Sequence, residues 1–191
     1  MGIVSEIKKN ANANNTKKTR FVPYNGIHKD DEYATPKNAV EIIAQYIPKD
    51  AIIWCPFDLP ESNFVKVFEE RGNIVYHSHI YQGKDFFKGK INKKIDYIIS
   101  NPPYSCKDLI YERLIDLNIP FAMLVNMQGI FDSKKRVELF KDKNIQLLYI
   151  YPRVCYIKDG IQTKSNIFQS GYICYKVLPK NLIIYNSEKG K

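Results

Sequence analysis

Apolar positions along the chain follow two alternating rhythms. Val40, Ile43, Ala44 and Ile47 fall at helical spacing before Pro48. This predicts a helix capped by Thr35, with Pro36 at its first position. Ala51–Cys55 is a short apolar run and reads as a buried strand. Phe64, Val67 and Phe68 mark one face of a helix over 61–72 that Gly72 closes. Ile74–His77 predicts a second strand, Ile95–Ser100 a third and Phe121–Asn126 a fourth. An amphipathic helix is expected over Lys107–Leu117 and a polar one over Ser133–Lys143. Ile145–Tyr151 and Tyr172–Leu178 are further strands, with a polar loop and no helix between them, which suits an antiparallel pair at one edge.

Strands alternating with helices imply βαβ units, hence an α/β fold with a mostly parallel sheet. In such a sheet ligands bind in the crevice beyond the carboxyl ends of the strands. The informative residues are therefore those just after Cys55, His77, Ser100 and Asn126. Residues 31–180 read as a single domain. Residues 1–30, with Lys8, Lys9, Lys17, Lys18, Arg20 and Lys29 against Glu6 and Asp30, read as a basic N-terminal tail. Such an arm suits nucleic-acid contact, or is a solvated, frayed end. Residues 181–191 read as a C-terminal tail.

Composition narrows the class. Hydrophobic residues make up 45% and aromatics 13%, enough for a core and too much for a disordered chain. No apolar run approaches the ~18 residues of a membrane span, and the N-terminal segment lacks the apolar stretch of a secretion signal. A soluble cytoplasmic domain is the expectation. Lysines and arginines number 29 against 20 acidic residues, a net charge of +9, which favours a nucleic-acid partner over a protein tail. Cys55, Cys106, Cys155 and Cys174 show no zinc-type spacing and read as reduced thiols. His77 and His79 share a strand face, but with no third ligand they read as ordinary polar contacts.

The most specific feature is Asn101-Pro102-Pro103-Tyr104, directly after the third strand. Consecutive prolines stiffen the turn, and they offer carbonyls without N–H groups. Asn101 adds a side-chain carbonyl acceptor, and Tyr104 a flat ring for stacking. Convergent acceptors beside an aromatic platform suit a planar ring bearing an amino group. A plain Pro-Pro turn is the competing reading.

These residues resemble the NPPY motif of adenine-N6 DNA methyltransferases, which use S-adenosyl-L-methionine (AdoMet). The resemblance runs over about Tyr33–Leu178 and implies a Rossmann-like methyltransferase fold of the compact phage or mobile-element type, with the cofactor half before the motif. It implies that Asn101 and the Pro102 carbonyl hold the adenine amino group while Tyr104 stacks on a base flipped out of double-stranded DNA. Glu32-Tyr33-Ala34-Thr35-Pro36 resembles the segment before the first strand that lines the AdoMet site. Pro56, Phe57 and Asp58 occupy the loop expected against the methionine part. Asp85 and Phe86 resemble the Asp-Phe pair that holds the cofactor's adenine. Tyr156 falls where the family places an aromatic residue against the target base, with Arg153 nearby and Pro103 in the motif itself as further substrate contacts.

Two features depart from the family pattern. Pro56–Asn63 has no glycine, and the end of the second strand reads Tyr76-His77-Ser78-His79 with no acidic residue for the ribose. Lys134, Lys135, Arg136, Lys141 and Lys143, followed by Arg153, Lys158 and Lys164, form the expected nucleic-acid surface or, over the helix, a solvated face. Adenine in RNA, a protein glutamine amide, or a catalytically inactive nucleic-acid-binding module of the same fold are the competing readings.

Overall fold

The computed structural model describes residues 34–89, 91–158, 160–163 and 168–190. The expected basic tail over 1–30, Glu32, Tyr33 and Lys164 lie outside the described residues. The elements run α1 (Lys37–Ala44), β1 (Ile52–Cys55), α2 (Asn63–Glu70), β2 (Ile74–His77), β3 (Tyr97–Ser100), α3 (Lys107–Leu117), β4 (Phe121–Asn126), α4 (Lys134–Phe140) and β5 (Ile145–Tyr151). The short pair β6 (Ile157–Lys158) and β7 (Ile161–Gln162), then β8 (Ser170–Tyr175) and β9 (Leu182–Asn186), complete the chain.

Seven strands form one sheet in the order β2-β1-β3-β4-β8-β5-β9. All its pairings are parallel except those of β8, which runs antiparallel to both β4 and β5. The fold is therefore α/β, mostly parallel, with one antiparallel strand. The expected antiparallel pairing of β5 with β8 is present, but β8 is inserted between β4 and β5. Its residues Ser170–Cys174 are all buried, which demands a slot covered on both faces. The outer position goes instead to β9, whose alternate residues Leu182 and Ile184 are exposed. Residues 181–191, read as a tail, thus contain a strand paired in register with β5, Leu147 opposite Leu182 and Tyr149 opposite Ile184.

Helices cover both faces. On one, α1 and α2 bury Val40, Ile43, Phe64 and Phe68 against Ile53, Ile99 and Leu124. On the other, α3 and α4 bury Tyr111, Leu114 and Phe140 against Ile98, Phe121, Met123 and Val125. The unbroken apolar run of β4 follows directly, because successive side chains enter opposite cores.

Local capping corrects two expectations. Helix α1 starts at Lys37 with Pro36 at the N-cap, and Thr35 does not cap it. Helix α2 starts at Asn63, because Ser62 caps it by accepting from the Val65 amide at 3.3 Å.

Candidate active site

The chain leaves β1 toward β2 on one side and leaves β3 toward β4 on the other, although β1 and β3 are neighbours. The loops after these two strands diverge, and a crevice opens at the carboxyl ends, as expected at a topological switch point. The crevice is a cleft of about 510 Å³. Its lining brings together ten of the residues singled out from the sequence. They are Thr35 before α1, Pro56, Phe57 and Asp58 after β1, Asp85 and Phe86 after β2, and Asn101, Pro102, Pro103 and Tyr104 after β3. The remaining three do not line it. Pro36 is buried at the start of α1, and Arg153 borders a separate hollow beside α1. Tyr156 is 1% exposed, and its hydroxyl donates to Ser170 Oγ at 3.0 Å. Tyr156 thus reaches the cleft from behind, through a side-chain hydrogen bond with Tyr104 and through packing. Its ring contacts Phe168 at 6.4 Å between centroids, and Phe168 in turn meets Tyr104 edge-on at 6.3 Å.

The turn after β3 has the stiffness its prolines imply. Pro103 is extended (φ −61°, ψ 144°), and Tyr104 opens a single 3-10 turn that leads into α3. The Asn101 amide is oriented by Thr35: its Nδ2 donates to Thr35 Oγ1 at 3.4 Å. Thr35 is itself held, because its carbonyl accepts from Asn63 Nδ2 at 2.8 Å. Ala34 is clipped to Ile157 by reciprocal backbone hydrogen bonds of 2.9 and 3.0 Å. With its nitrogen engaged, Asn101 keeps Oδ1 as a buried acceptor with no partner. A buried carbonyl left unpaired is costly, and it gains most from a ligand that supplies an N–H.

An aromatic wall closes the other end. Phe86 is 4% exposed and meets Phe57 at 4.9 Å, Trp54 at 5.5 Å and Phe87 at 5.3 Å between centroids. The Arg113 guanidinium lies 5.3 Å from the Phe86 centroid on α3's side. Phe86 is thus both a core residue and a cleft residue. Asp85 accepts from the Phe87 amide through Oδ1 at 2.9 Å, which folds the segment into a tight turn and presents the aromatic pair. Trp54 Nε1 donates to Ser78 Oγ at 3.0 Å, and the Ser78 carbonyl accepts from the Asp58 amide at 3.2 Å. These bonds tie the glycine-free loop after β1 to the end of β2.

Asp58 lies at the floor of the crevice, 7% exposed. It accepts a hydrogen bond from Ser100 Oγ. Burial pushes its carboxyl up from 3.8 to about 6, against the opposing effect of the Ser100 and Ser62 hydroxyls. The sequence signals no role for Ser100, which completes a strand, or for Ser62, which falls inside the helix expected over 61–72. His79 and Tyr81, whose tilted rings lie 4.6 Å apart between centroids, and Lys84 also line the cleft. His79 Nδ1 accepts from the Tyr81 amide, and among the described residues no cluster suits a metal ion.

The basic helix α4 is largely neutralised. Lys135 pairs with Glu112 at 2.9 Å, Lys141 with Glu138 at 2.7 Å, and Arg136 with Asp108. Arg136 is also structural, donating to the carbonyls of Ile130 at 2.8 Å and Gly129 at 2.7 Å. The cation beside the turn is Lys107, its Nζ 5.1 Å from the Tyr104 ring centroid. Burial, then the nearby Arg136, lowers its pKa.

No protein-family model matches the chain. No curated protein matches it. Solved structures do. One is described as a modification subunit of a type I restriction enzyme from Vibrio vulnificus YJ016, 9% identical with a TM-score of 0.50 over 79% of this chain and 46% of that one. The likeness is one of fold, a Rossmann-like, mostly parallel α/β sheet. A methyltransferase subunit of the type I restriction-modification system from Streptococcus thermophilus is 12% identical (TM-score 0.49, covering 83% of this chain and 48% of that one). Precorrin-6y C5,15-methyltransferase from Geobacter metallireducens GS-15 is 16% identical (TM-score 0.44, covering 81% and 100%). The chain spans less than half the length of the two restriction-modification subunits.

Proposed function

We propose that this protein transfers a methyl group from AdoMet to the exocyclic N6 of adenine in DNA. The observation that carries the reading is the Asn101 side chain. Its nitrogen is committed to Thr35, its carbonyl oxygen is buried and unpaired, and it borders a cleft of cofactor size. An amino group on a planar ring supplies the missing N–H. The Pro102 carbonyl is an acceptor for the second hydrogen, and no backbone N–H at Pro102 or Pro103 competes. With both hydrogens held, the nitrogen lone pair turns out of conjugation with the ring and toward a methyl donor. Tyr104 offers its face to the base, beside Phe168.

The rest of the cleft fits AdoMet by the chemistry of its donor set. The Phe86 wall suits a purine ring, Asp85 has a carboxylate acceptor for its amino group, and Asp58 offers a negative charge to a cationic methionine end. When bound, AdoMet supplies an electrophilic methyl on sulfur. The chain's own contribution is to hold the amine, exclude water behind Phe57 and Phe86, and align the two partners, which is where most of the rate of an in-line transfer originates.

DNA as the polymer is supported by the net charge of +9 and by Lys107 beside Tyr104, poised for a phosphate next to a flipped base. Among the described residues no helix is long and apolar enough to cross a membrane. The test is methyl transfer from labelled AdoMet to DNA, RNA or cellular protein. Label is expected in DNA adenine and is lost in Asn101→Ala. Label in RNA or in protein glutamine moves the target to those polymers. Cofactor binding with no transfer to any of them identifies an inactive binding module.

A further inference from the structure

One group in the cleft has an electrostatic state that methyl transfer by itself does not require. Asp58 lines the cleft, is almost fully buried, and is bonded by Ser100, the residue before Asn101. Its carboxyl is hydrogen-bonded by the Ser100 and Ser62 hydroxyls, and its amide donates to the Ser78 carbonyl. Among the described residues none of the ion pairs involves it. A buried carboxylate without a counter-ion is half of an ion pair, and the open side of this one is the cleft. A cationic ligand completes it.

We propose that Asp58 is the counter-charge for a cationic centre of the cofactor, and that AdoMet binding is coupled to release of the Asp58 proton. This rests on the methyltransferase reading of the cleft. The only bond that changes is the Asp58 O–H, and its proton passes to buffer. AdoMet carries two cationic centres, the sulfonium and the α-ammonium. The product, S-adenosylhomocysteine, keeps only the ammonium, and 5′-methylthioadenosine has neither.

Every element around Asp58 contributes to its state. Cys55 on β1 and Tyr172 on β8 are both pushed up by burial and both feel the Asp58 charge, so they stay neutral between pH 5 and 7. Ser100 ends β3 and Ser62 caps α2, and both favour the ionised form. Glu61, His79, Lys84 and Asp85 line the same cleft, and their contribution is separated from that of Asp58 by substitution. A proton held to about pH 6 in the empty protein must leave before the cation gains its partner.

Titration calorimetry of the full chain with AdoMet, in two buffers of different ionisation enthalpy, counts the protons released. Binding is expected to be about tenfold tighter at pH 7 than at pH 5, with close to one proton released at pH 5, about half a proton at pH 6 and little at pH 7. Asp58→Asn is expected to show equal affinity at both pH values and no Asp58-linked release. The wild-type proton count tests the inference without any variant. Release that persists with S-adenosylhomocysteine assigns the ammonium, and release seen with AdoMet alone assigns the sulfonium. The neutral 5′-methylthioadenosine should bind without release. AdoMet binding with no proton release between pH 5 and 7, or release unchanged in Asp58→Asn, overturns the inference while leaving the cofactor site intact. No binding of either cofactor form at any pH overturns the methyltransferase reading itself.

Discussion

Ser100 Oγ donates to the Asp58 carboxylate, joining the last residue of β3 to the turn after β1 across the point where the sheet changes direction. The bond favours the ionised form, but burial outweighs it and holds the Asp58 carboxyl at about 6 rather than 3.8. The folded protein therefore keeps this proton through a range in which the unfolded chain has lost it. Stability from this group is full below the unfolded value and falls as pH rises to about 6. A shift of about two units corresponds to roughly 3 kcal/mol. Asp58→Asn should flatten this slope and raise stability near neutral pH by up to that amount. Urea denaturation at pH 4.5 and 7 measures it. A variant no more stable than wild type at pH 7 contradicts the assignment.

Thr35 positions Asn101 through a single long hydrogen bond of 3.4 Å. Thr35→Val removes the acceptor and keeps the shape, so the amide is free to rotate. We expect kcat to fall by roughly tenfold, the worth of one modest hydrogen bond. The fold should be unaffected, because the backbone carbonyl that holds Asn63 remains. Steady-state kinetics beside a thermal melt separate the two effects.

Arg136 binds Asp108 and two carbonyls of the loop after β4, with only 11% of its side chain exposed. Arg136→Ala leaves those acceptors unpaired and should cost about 3 kcal/mol. Arg136→Lys should recover little of it, since an ammonium cannot reproduce the planar fork. Denaturation midpoints of the two variants decide the matter, and full rescue by lysine would argue for charge alone.

Gly171 marks a close approach of backbones within the sheet. A Cβ there would lie 2.8 Å from the Leu148 carbonyl oxygen and 3.1 Å from Met127 Sδ. Gly171→Ala should destabilise by about 1–3 kcal/mol, because the oxygen belongs to a paired strand and cannot move aside. Gly89→Ala, where the nearest atom is the Asp85 carbonyl at 3.7 Å, serves as the control and should be near neutral.

Much of this architecture is written in local pattern. The runs Ile74–His77, Lys107–Leu117, Phe121–Asn126 and Ile145–Tyr151 form the elements their spacing predicts, with the same limits. The last three are long for their type, and β2, although short, is bounded by Gly72 and pairs in register along β1, so tertiary packing adds to the local preference rather than opposing it. The hairpin of β6 and β7 and the edge strand β9 escaped, because two-residue strands carry little periodic signal and the exposed positions of β9, Leu182 and Ile184, are apolar like the covered ones between them. Tyr156 shows the same limit at the site. Its place in the chain says nothing of depth, and its burial under Phe168 follows from where β8 enters the sheet.

The sequence by itself determined that strands and helices alternate, that a stiff acceptor-only turn follows β3, and that the turn ends at a tyrosine. These depend on φ restriction, side-chain periodicity and donor inventory, all properties of residues near one another in the chain. Only the tertiary structure decided that Thr35 reaches Asn101 and that Ser100 reaches Asp58. It also decided that β8 divides β4 from β5, and that most of the basic charge on α4 is spent on acidic neighbours. Those contacts join residues from distant parts of the chain. They exist because two cores, one on each face of the sheet, set the strand order and so choose which loops meet.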